Sequence, residues 1–337
     1  MDERPTPLPP DVAPEPALSI GQRVLPSGLV RRSAWLLLSA ALAHAATACG
    51  APGTTLGGPE ASAPVLAGGT TSLGAHPTDD GKTDAALPAT DDTAAIPLWK
   101  DGKDHPRGYL GDEAPDGTHF LPPPPAPGSP GDATDRAIEQ KVRALQGSAR
   151  WQWAARDNDL ETPVAPRAFE CALGVTFDPA TMPILTRLLA RVTSDVGAGG
   201  ERAKQRFARK RPYAVAETTT CIPPEARPPN ASYPSGHAAT GWAWALVLME
   251  LAPDRAEAVA RRGIAFGDSR VVCGIHYASD VDAGRLVGAT VIARLRAEPA
   301  FVRDLARART ELAAARTSAT QNAACAEEEA VLANRGF

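Results

Sequence analysis

The sequence predicts one all-α domain that follows a disordered N-terminal tether, and three observations predict it. From about residue 134, apolar residues recur at spacings of three and four, the pattern of helices that bury one face. No segment shows the strict alternation of apolar and polar residues that is typical of a half-buried strand. Residues 50–104 are rich in Gly, Ala, Thr, Pro and Asp and lack apolar periodicity, so they are assigned to the tether.

Six segments carry the helical pattern. Gly197, Gly199 and Gly200 are expected to end the second of them, because glycine is a common stop signal for a helix. Pro253 and Pro299 are expected to end the third and the fifth. The six segments are residues 133–145, 182–196, 236–251, 254–272, 279–297 and 300–317.

The helical domain is assigned residues 105–320, and residues 321–337 are assigned to a C-terminal tail. A domain of roughly 200 residues is long enough to bury a core. The Pro-rich segment 121–131 is expected either to end the tether or to pack on the domain as an arm. The apolar segment 236–251 is too short for a membrane span and is expected to be a buried core helix.

The net charge of the chain bears on which kinds of macromolecule it could bind. Its 337 residues carry a formal net charge of -4 at pH 7. Proteins that bind nucleic acid or an anionic membrane surface usually have an excess of basic residues. The sequence therefore indicates no nucleic-acid-binding surface.

Residues 1–49 are interpreted as an export signal region. Arg31 and Arg32 precede the apolar run 33–49, which ends in small residues as secretory signals do. The run is shorter than the ~20 residues that span a bilayer; the alternatives are an uncleaved anchor and a twin-arginine signal. Cys49 follows an ordinary cleavage sequence and also resembles a lipid acceptor. The protein is thus expected in the periplasm, on a lipid tether or outside the cell.

Three short segments concentrate the residue types that phosphoryl transfer needs. Such a transfer requires fixed positive charge and hydrogen-bond donors around three equatorial oxygens. The planar fork of Arg donates two parallel hydrogen bonds to phosphate, and a glycine at a helix start lets backbone N–H groups approach an anion. The candidate phosphate-binding residues are Lys204 and Arg211 in "KQRFARKRP", Ser235 and Gly236 in "YPSGH", and Arg270 in "SRVVCGIHYASD".

Two histidines divide the remaining chemistry. His276 is the candidate nucleophile, because Asp280 lies about one helical turn later, where its carboxylate is expected to accept a hydrogen bond from the ring N–H. His237 is the candidate general acid that protonates the leaving oxygen. Each residue taken alone has a structural interpretation, such as a solvated charge or a helix cap. However, His237 and His276 are the only histidines beyond residue 119, and both fall inside these segments.

The cysteines are consistent with export. The chain has five, and four remain if Cys49 is removed or lipidated. Cys221 and Cys273 each lie close to one of the three segments, so they are predicted to form a disulfide in an oxidising compartment. Cys171 and Cys325 are the second predicted pair. The alternative is that some of these residues are free buried thiols.

The three segments resemble the signature of the type 2 phosphatidic acid phosphatase superfamily. That signature is Lys, six residues, Arg-Pro; then Pro-Ser-Gly-His; then Ser-Arg, five residues, His, three residues, Asp. The chain also resembles bacterial class A non-specific acid phosphatases over residues 119–316, with "LPPPPAPGS" and "NASYPSGH" among the similar stretches. Residues 154–161 depart from that family's more acidic version.

The resemblance implies an activity and a set of roles. It implies hydrolysis of many phosphomonoesters through a phosphohistidine on His276, with no metal, no cofactor, inhibition by phosphate or vanadate, and a homo-oligomer. The rival functions are a vanadium-dependent haloperoxidase, which shares the oxyanion-binding residues, an integral lipid phosphatase and a lipoprotein with a decayed domain. The lipid phosphatase would need several membrane spans, and decay would have damaged at least one motif position.

Overall fold

A computed structural model describes residues 106–161, 165–216, 218–223, 228–317 and 324–337. The export signal region, the tether and Cys49 lie outside these residues. The described residues form α-helices joined by turns, loops and short 3-10 helices and contain no β-strand, which confirms the predicted fold class. The helices are α1 (Gly117–Phe120), α2 (Pro130–Val142), α3 (Ala149–Arg156), α4 (Glu170–Leu173), α5 (Pro183–Phe207), α6 (Pro212–Val215), α7 (Gly236–Leu251), α8 (Ala256–Val272), α9 (Ala278–Leu295), α10 (Pro299–Thr317) and α11 (Ala324–Leu332).

Helix α7 is the centre of the domain. Its sequence is apolar almost all round, as expected for a helix buried on every side. It packs against α5, α8 and α9, and Trp244 at its middle is fully buried. The indole Nε1 of Trp244 donates to the carbonyl oxygen of Leu189 at 3.1 Å, which satisfies its one polar atom. None of the described helices is both long and apolar enough to cross a membrane.

Glycines allow α7 to approach its neighbours at backbone distance. A Cβ atom on Gly284 of α9 would lie 2.3 Å from the carbonyl oxygen of Ser235, and one on Gly288 would lie 2.4 Å from that of Ala239. Gly241 of α7 makes a similarly close approach to the ring of Phe266 on α8. The start of α7 is therefore held directly against the start of α9, and the two predicted histidine segments meet there.

Helix α5 differs from the prediction that it ends at Gly197, Gly199 and Gly200. It runs on to Phe207 and ends at Ala208, whose backbone is left-handed. Gly199 and Gly200 are buried, and a Cβ on Gly199 would lie 3.1 Å from the carbonyl oxygen of Pro115. Close packing thus outweighs the cost of about 1 kcal/mol for each glycine in a helix. The extension places Lys204 in the last turn of α5.

The first described residues form an arm that packs on the domain. Asp195 of α5 is fully buried, and its carboxylate accepts hydrogen bonds from the backbone N–H groups of Tyr109 and Leu110 at 2.8 and 2.9 Å. The hydroxyl of Tyr233 donates to the carbonyl oxygen of Pro122 at 2.7 Å, and Leu121 is buried. Of the two interpretations of the Pro-rich segment, the packed arm is the one that the structure contains.

Two disulfide bonds cross-link the described chain, and they are the two predicted pairs. Cys221 bonds to Cys273, with 4.8 Å between their Cα atoms, and Cys171 bonds to Cys325, with 5.3 Å. The second bond attaches α11 to α4. The segment 321–337, for which the pattern predicted no element, therefore contains a helix that is fastened to the domain.

Candidate active site

The chain between α8 and α9 carries the predicted nucleophile. Gly274 has a φ of 76°, which permits the tight turn after α8. His276 follows that turn, and Asp280 lies in the first turn of α9. The Nδ1 atom of His276 is 3.4 Å from Oδ2 of Asp280, and the same oxygen accepts the backbone N–H of Tyr277 at 2.9 Å. Asp280 thus caps α9 and faces the imidazole at once.

The Asp280 carboxylate is surrounded by donors. Arg209 Nη1 donates to Oδ1 at 2.6 Å, and the Ser232 hydroxyl donates to Oδ2 at 2.6 Å. Burial alone would raise the pKa of Asp280, but the bonds from His276, Arg209 and Ser232 hold it below its usual value. The carboxylate therefore stays ionised and keeps one oxygen directed at the imidazole.

His276 is held in its neutral form. Its side chain is 3% exposed, and burial is the main reason why its pKa falls to about 3. The charges of Arg211 and Arg270 lower the pKa further, while Asp280 opposes them. Nη1 of Arg211 lies 2.9 Å from Nε2 of His276. Because a guanidinium only donates, Nε2 carries the lone pair and the ring proton is on Nδ1.

Arg211 is anchored by backbone carbonyls as well as by the imidazole. It precedes α6, and its guanidinium donates to the carbonyl oxygens of Pro228, Ile275 and Ala231 at 2.9, 3.0 and 2.9 Å. Its residue exposure is only 4%. This cation is therefore fixed in place beside Nε2 of His276.

The start of α7 brings the second segment to the same place. Ser235 is the N-cap residue, and its hydroxyl oxygen accepts the N–H of Ala238 at 3.4 Å. That contact uses an acceptor site of the hydroxyl and leaves its proton to donate. A Cβ on Gly236 would lie 3.3 Å from Nζ of Lys204, so the ammonium group sits at the helix N-terminus. An ammonium group and a helix N-terminus together favour an anion.

His237 and Arg270 meet at Asn158. The Nε2 atom of His237 lies 2.8 Å from the carbonyl oxygen of Asn158, and Nη2 of Arg270 donates to its Oδ1 atom at 3.0 Å. A carbonyl oxygen only accepts, so the His237 contact requires a proton on Nε2. In the sequence, the one feature that marks Asn158 is its place in residues 154–161, which depart from the pattern of the family that the chain resembles. Its two partners, His237 and Arg270, lie 79 and 112 positions away in the sequence. A pattern of neighbouring residues cannot reveal contacts at that separation.

A buried ion pair anchors Asn158. Its neighbour Asp157 is 2% exposed and pairs through both carboxylate oxygens with Arg262 of α8, which is 4% exposed. The hydroxyl of Ser269 also donates to Asp157 at 2.6 Å. A pair of this kind with further hydrogen bonds fixes the position of the chain that carries it.

A second buried network supports Asp280 from behind. Arg209 bridges Asp280 and Asp135 of α2, with Nη2 at 2.8 Å from Oδ2 of Asp135. Asp135 also accepts the backbone N–H of Ser279 at 3.0 Å. Sequence reasoning missed both residues. Arg209 lies within the first segment and so had a signal, whereas nothing local marks Asp135.

The structure brings all eight predicted residues to one region, around the starts of α7 and α9 and the ends of α5 and α8. A cavity of about 870 Å³ opens on one side of it, and His237 and Asn158 are among its walls. Within the part of the chain that the structure describes, no three His, Cys, Asp or Glu side chains converge as metal ligands. The predicted residues are His276, His237, Asp280, Lys204, Arg211, Ser235, Gly236 and Arg270.

Comparison of the sequence with known proteins identifies relatives of this chain. Residues 182–300, which include all three segments, match the PAP2 superfamily. The chain is 41% identical over 206 residues to an acid phosphatase of Zymomonas mobilis, covering 59% of this chain and 76% of the relative. It is 42% identical over 196 residues to a non-specific acid phosphatase of Salmonella typhimurium (57% and 78%). It is 38% identical over 233 residues to one of Providencia stuartii (68% and 94%).

Proposed function

The chain belongs to the PAP2 superfamily, among the non-specific acid phosphatases, and on that premise we propose that it hydrolyses phosphomonoesters through a phosphohistidine on His276. One observation carries the proposal. The Nε2 atom of His276 bears a lone pair beside the fixed guanidinium of Arg211, and burial keeps the ring neutral down to a pH of about 3. A neutral imidazole among cations is suited to attack an anionic phosphorus centre at acidic pH.

In the first step, Nε2 of His276 attacks phosphorus as the bond to the leaving oxygen breaks. Lys204, Arg211 and Arg270 neutralise the charge that develops on the equatorial oxygens. Arg211 then donates to a phosphate oxygen in place of the imidazole lone pair. Protonated His237 transfers a proton to the leaving alkoxide, and the alcohol departs.

In the second step, a water molecule attacks the phosphohistidine. Neutral His237 takes a proton from the water, the N–P bond breaks, and its electron pair returns to Nε2 of His276. Asp280 keeps the proton on Nδ1 throughout and stabilises the charge on the ring of the intermediate. The three cations supply the positive charge, so we propose that turnover needs no metal.

The phosphohistidine is tested by trapping it. A rapid reaction with labelled substrate is stopped in alkaline denaturant, because the N–P bond of phosphohistidine is labile in acid, and the labelled peptide is mapped. We expect label on the peptide that contains His276 and none in His276→Asn. Label on a serine, or activity lost to a chelator and restored by a divalent metal, would contradict the mechanism.

The role of His237 is tested by varying the leaving group. His237→Asn should lose about 10²- to 10⁴-fold in kcat/KM for alkyl phosphates and much less for activated aryl phosphates, which need little proton assistance. The ratio kcat/KM is the right measure because it reports the first step alone, whereas kcat also contains the second step, in which His237 acts as the base on every substrate. Equal losses on both substrate classes would show that His237 does not act as the acid. The names of the curated relatives favour a phosphatase over a haloperoxidase, and bound vanadium with halide oxidation would reverse that choice.

We also propose that the protein is exported, with its mature form starting at or near Cys49. The two disulfides support an oxidising compartment. Mass spectrometry of native protein should show either a lipid-modified Cys49 or a cleaved end close to it. Mature protein that retains Arg31 and Arg32 would contradict both forms.

A further inference from the structure

His237, which directly follows the phosphate-binding candidate Gly236 in the chain, lines the cavity described above. Because His237 is proposed to protonate the leaving oxygen, the leaving group of a bound substrate extends into this cavity of about 870 Å³. Its walls come from α3 and the chain that follows it, from the start of α7, from α8 and from α11. The charges on those walls therefore act on the leaving group.

Helix α11 contributes one of these walls through Glu328. The Cys171–Cys325 disulfide fixes α11 at a point three residues before Glu328, about one helical turn away. The Glu328 side chain is 13% exposed, and its Oε1 atom lies 3.0 Å from Nε of Arg262. Glu328 thus reaches the cavity from a helix whose position depends on a covalent bond.

The negative charge of Glu328 is in excess. Arg262 is already paired through both of its terminal nitrogens with the buried carboxylate of Asp157. Glu328 adds a second carboxylate to the same guanidinium, so the three groups together carry one negative charge.

The remaining charges on the described cavity walls cancel while His237 is neutral. Arg156 and Arg167 are the other permanent cations, Asp159 and Glu161 are the other anions, and His237 adds a positive charge when it is protonated. The walls therefore carry one negative charge while His237 is neutral and none when His237 is protonated, and the group of Asp157, Arg262 and Glu328 keeps its own negative charge in both states. A second negative charge on the leaving group would be repelled there.

We infer, on the basis of the proposed phosphatase function, that Glu328 on the disulfide-fixed helix α11 is a specificity-determining residue that selects phosphomonoesters with neutral or cationic leaving groups. The residue acts on the part of the substrate that is not phosphate. The Cys171–Cys325 bond keeps it there.

The experiment compares glycerol phosphate, whose leaving group is neutral, with phosphoglycerate, whose leaving group carries a carboxylate. Wild type, Glu328→Gln and Glu327→Gln are assayed for kcat/KM at pH ~7 rather than in acid, because burial raises the pKa of Glu328 above its ordinary value while Arg262 opposes that shift. Glu327 is the matched control because it lies on the same helix, is exposed and does not line the cavity. A third variant, Cys171→Ser with Cys325→Ser, releases α11.

We expect wild type to have a higher kcat/KM for glycerol phosphate than for phosphoglycerate. Glu328→Gln should reduce the ratio of these two values by roughly fivefold, the size expected for one partly screened charge. The change should come from faster turnover of phosphoglycerate, with glycerol phosphate altered less than twofold. Glu327→Gln should keep the wild-type ratio, and the double cysteine variant should narrow it.

An unchanged ratio in Glu328→Gln, or an equal loss on both substrates, would overturn the inference and leave the phosphatase function intact. Wild type that hydrolyses neither substrate, nor any other phosphomonoester, would overturn the phosphatase function and the inference with it. If the double cysteine variant does not fold, the comparison of Glu328→Gln with Glu327→Gln decides.

Discussion

Nη1 of Arg211 lies 2.9 Å from Nε2 of His276, although both side chains are cationic when protonated. The contact is favourable only if the imidazole is neutral, because its lone pair then accepts the guanidinium N–H. The buried ring and the ionised Asp280 complete the arrangement. The protein thus holds a base that does not take up a proton at moderately acidic pH, and this has a measurable effect on stability.

The first prediction is that His276 makes the folded state sensitive to acid. Its pKa is about 3 in the folded protein and 6.5 in the reference state, so between these values the unfolded chain binds a proton that the folded chain does not. The free energy of unfolding therefore falls as pH decreases from 6.5 towards 3, by up to a few kcal/mol. Urea denaturation at a series of pH values measures this slope.

His276→Asn should show a shallower loss over the same pH range, while the exposed His119→Asn should follow the wild-type curve. Asp280 contributes separately. Its pKa is lowered in the folded state, so its contribution is present above the reference value of 3.8 and lost below it. Parallel curves for wild type and His276→Asn would contradict the prediction.

The second prediction concerns Arg209, the cation between two buried carboxylates. Arg209→Gln leaves Asp135 and Asp280 without their shared partner, and breaking a buried pair costs about 3–5 kcal/mol. We expect a lower melting temperature and a kcat reduced by roughly tenfold or more, corresponding to ~1.4 kcal/mol. Arg209→Lys should recover part of the melting temperature and part of kcat. It keeps the positive charge but loses the planar guanidinium that donates to both carboxylates at once.

The adjacent Lys210 is exposed and supplies the control. Lys210→Gln should leave melting temperature and kcat unchanged. If Arg209→Gln melts and turns over like wild type, the network behind Asp280 does not support the site.

The third prediction tests the close approach of α7 and α9. Gly284→Ala would place a methyl group 2.3 Å from the carbonyl oxygen of Ser235, a backbone atom that cannot turn away. We expect a loss of about 1–3 kcal/mol or more in the free energy of unfolding. Gly197→Ala on α5 meets no atom within 4 Å and should stabilise by up to ~1 kcal/mol. Similar values for the two variants, by denaturant titration, would show that the approach is looser than described.

The fourth prediction concerns the disulfide between Cys221 and Cys273. The two residues are 52 positions apart, and in the chain-entropy model closure of such a loop stabilises by ~4 kcal/mol. Replacing both by Ser should lower the free energy of unfolding by about that amount. Peptide mapping without reductant should show the linked pair in wild type, and free thiols at both positions would contradict the bond.

Sequence patterns predicted the parts of the site that lie in short segments. The spacing from His276 to Asp280 predicted that the two side chains are neighbours, and they are, although His276 precedes α9 and does not lie within it. The apolar segment 236–251 indicated a central helix. Both inferences are local, because a helix repeats within a few residues. Motif spacing identified the five candidate phosphate-binding residues in the same way.

The supporting contacts could not be predicted, because they join distant parts of the chain. Asn158 reaches His237, and Asp135 reaches Arg209, across more than 70 positions. The prediction that α5 ends at its glycines was wrong for the same reason. Gly199 is a stop signal when read locally, yet it lies within a continuing helix, where tight packing against the carbonyl oxygen of Pro115 favours a residue without a side chain.

The Cys171–Cys325 bond has a topological consequence for any cut that a protease makes in the chain. Its two cysteines are 154 positions apart, and every residue proposed to act on the phosphoryl group, from Lys204 to Asp280, lies between them. A single cut anywhere in that stretch yields two fragments that remain one covalent molecule. They cannot diffuse apart, so a nicked chain keeps both halves of its catalytic apparatus together until a reductant separates them.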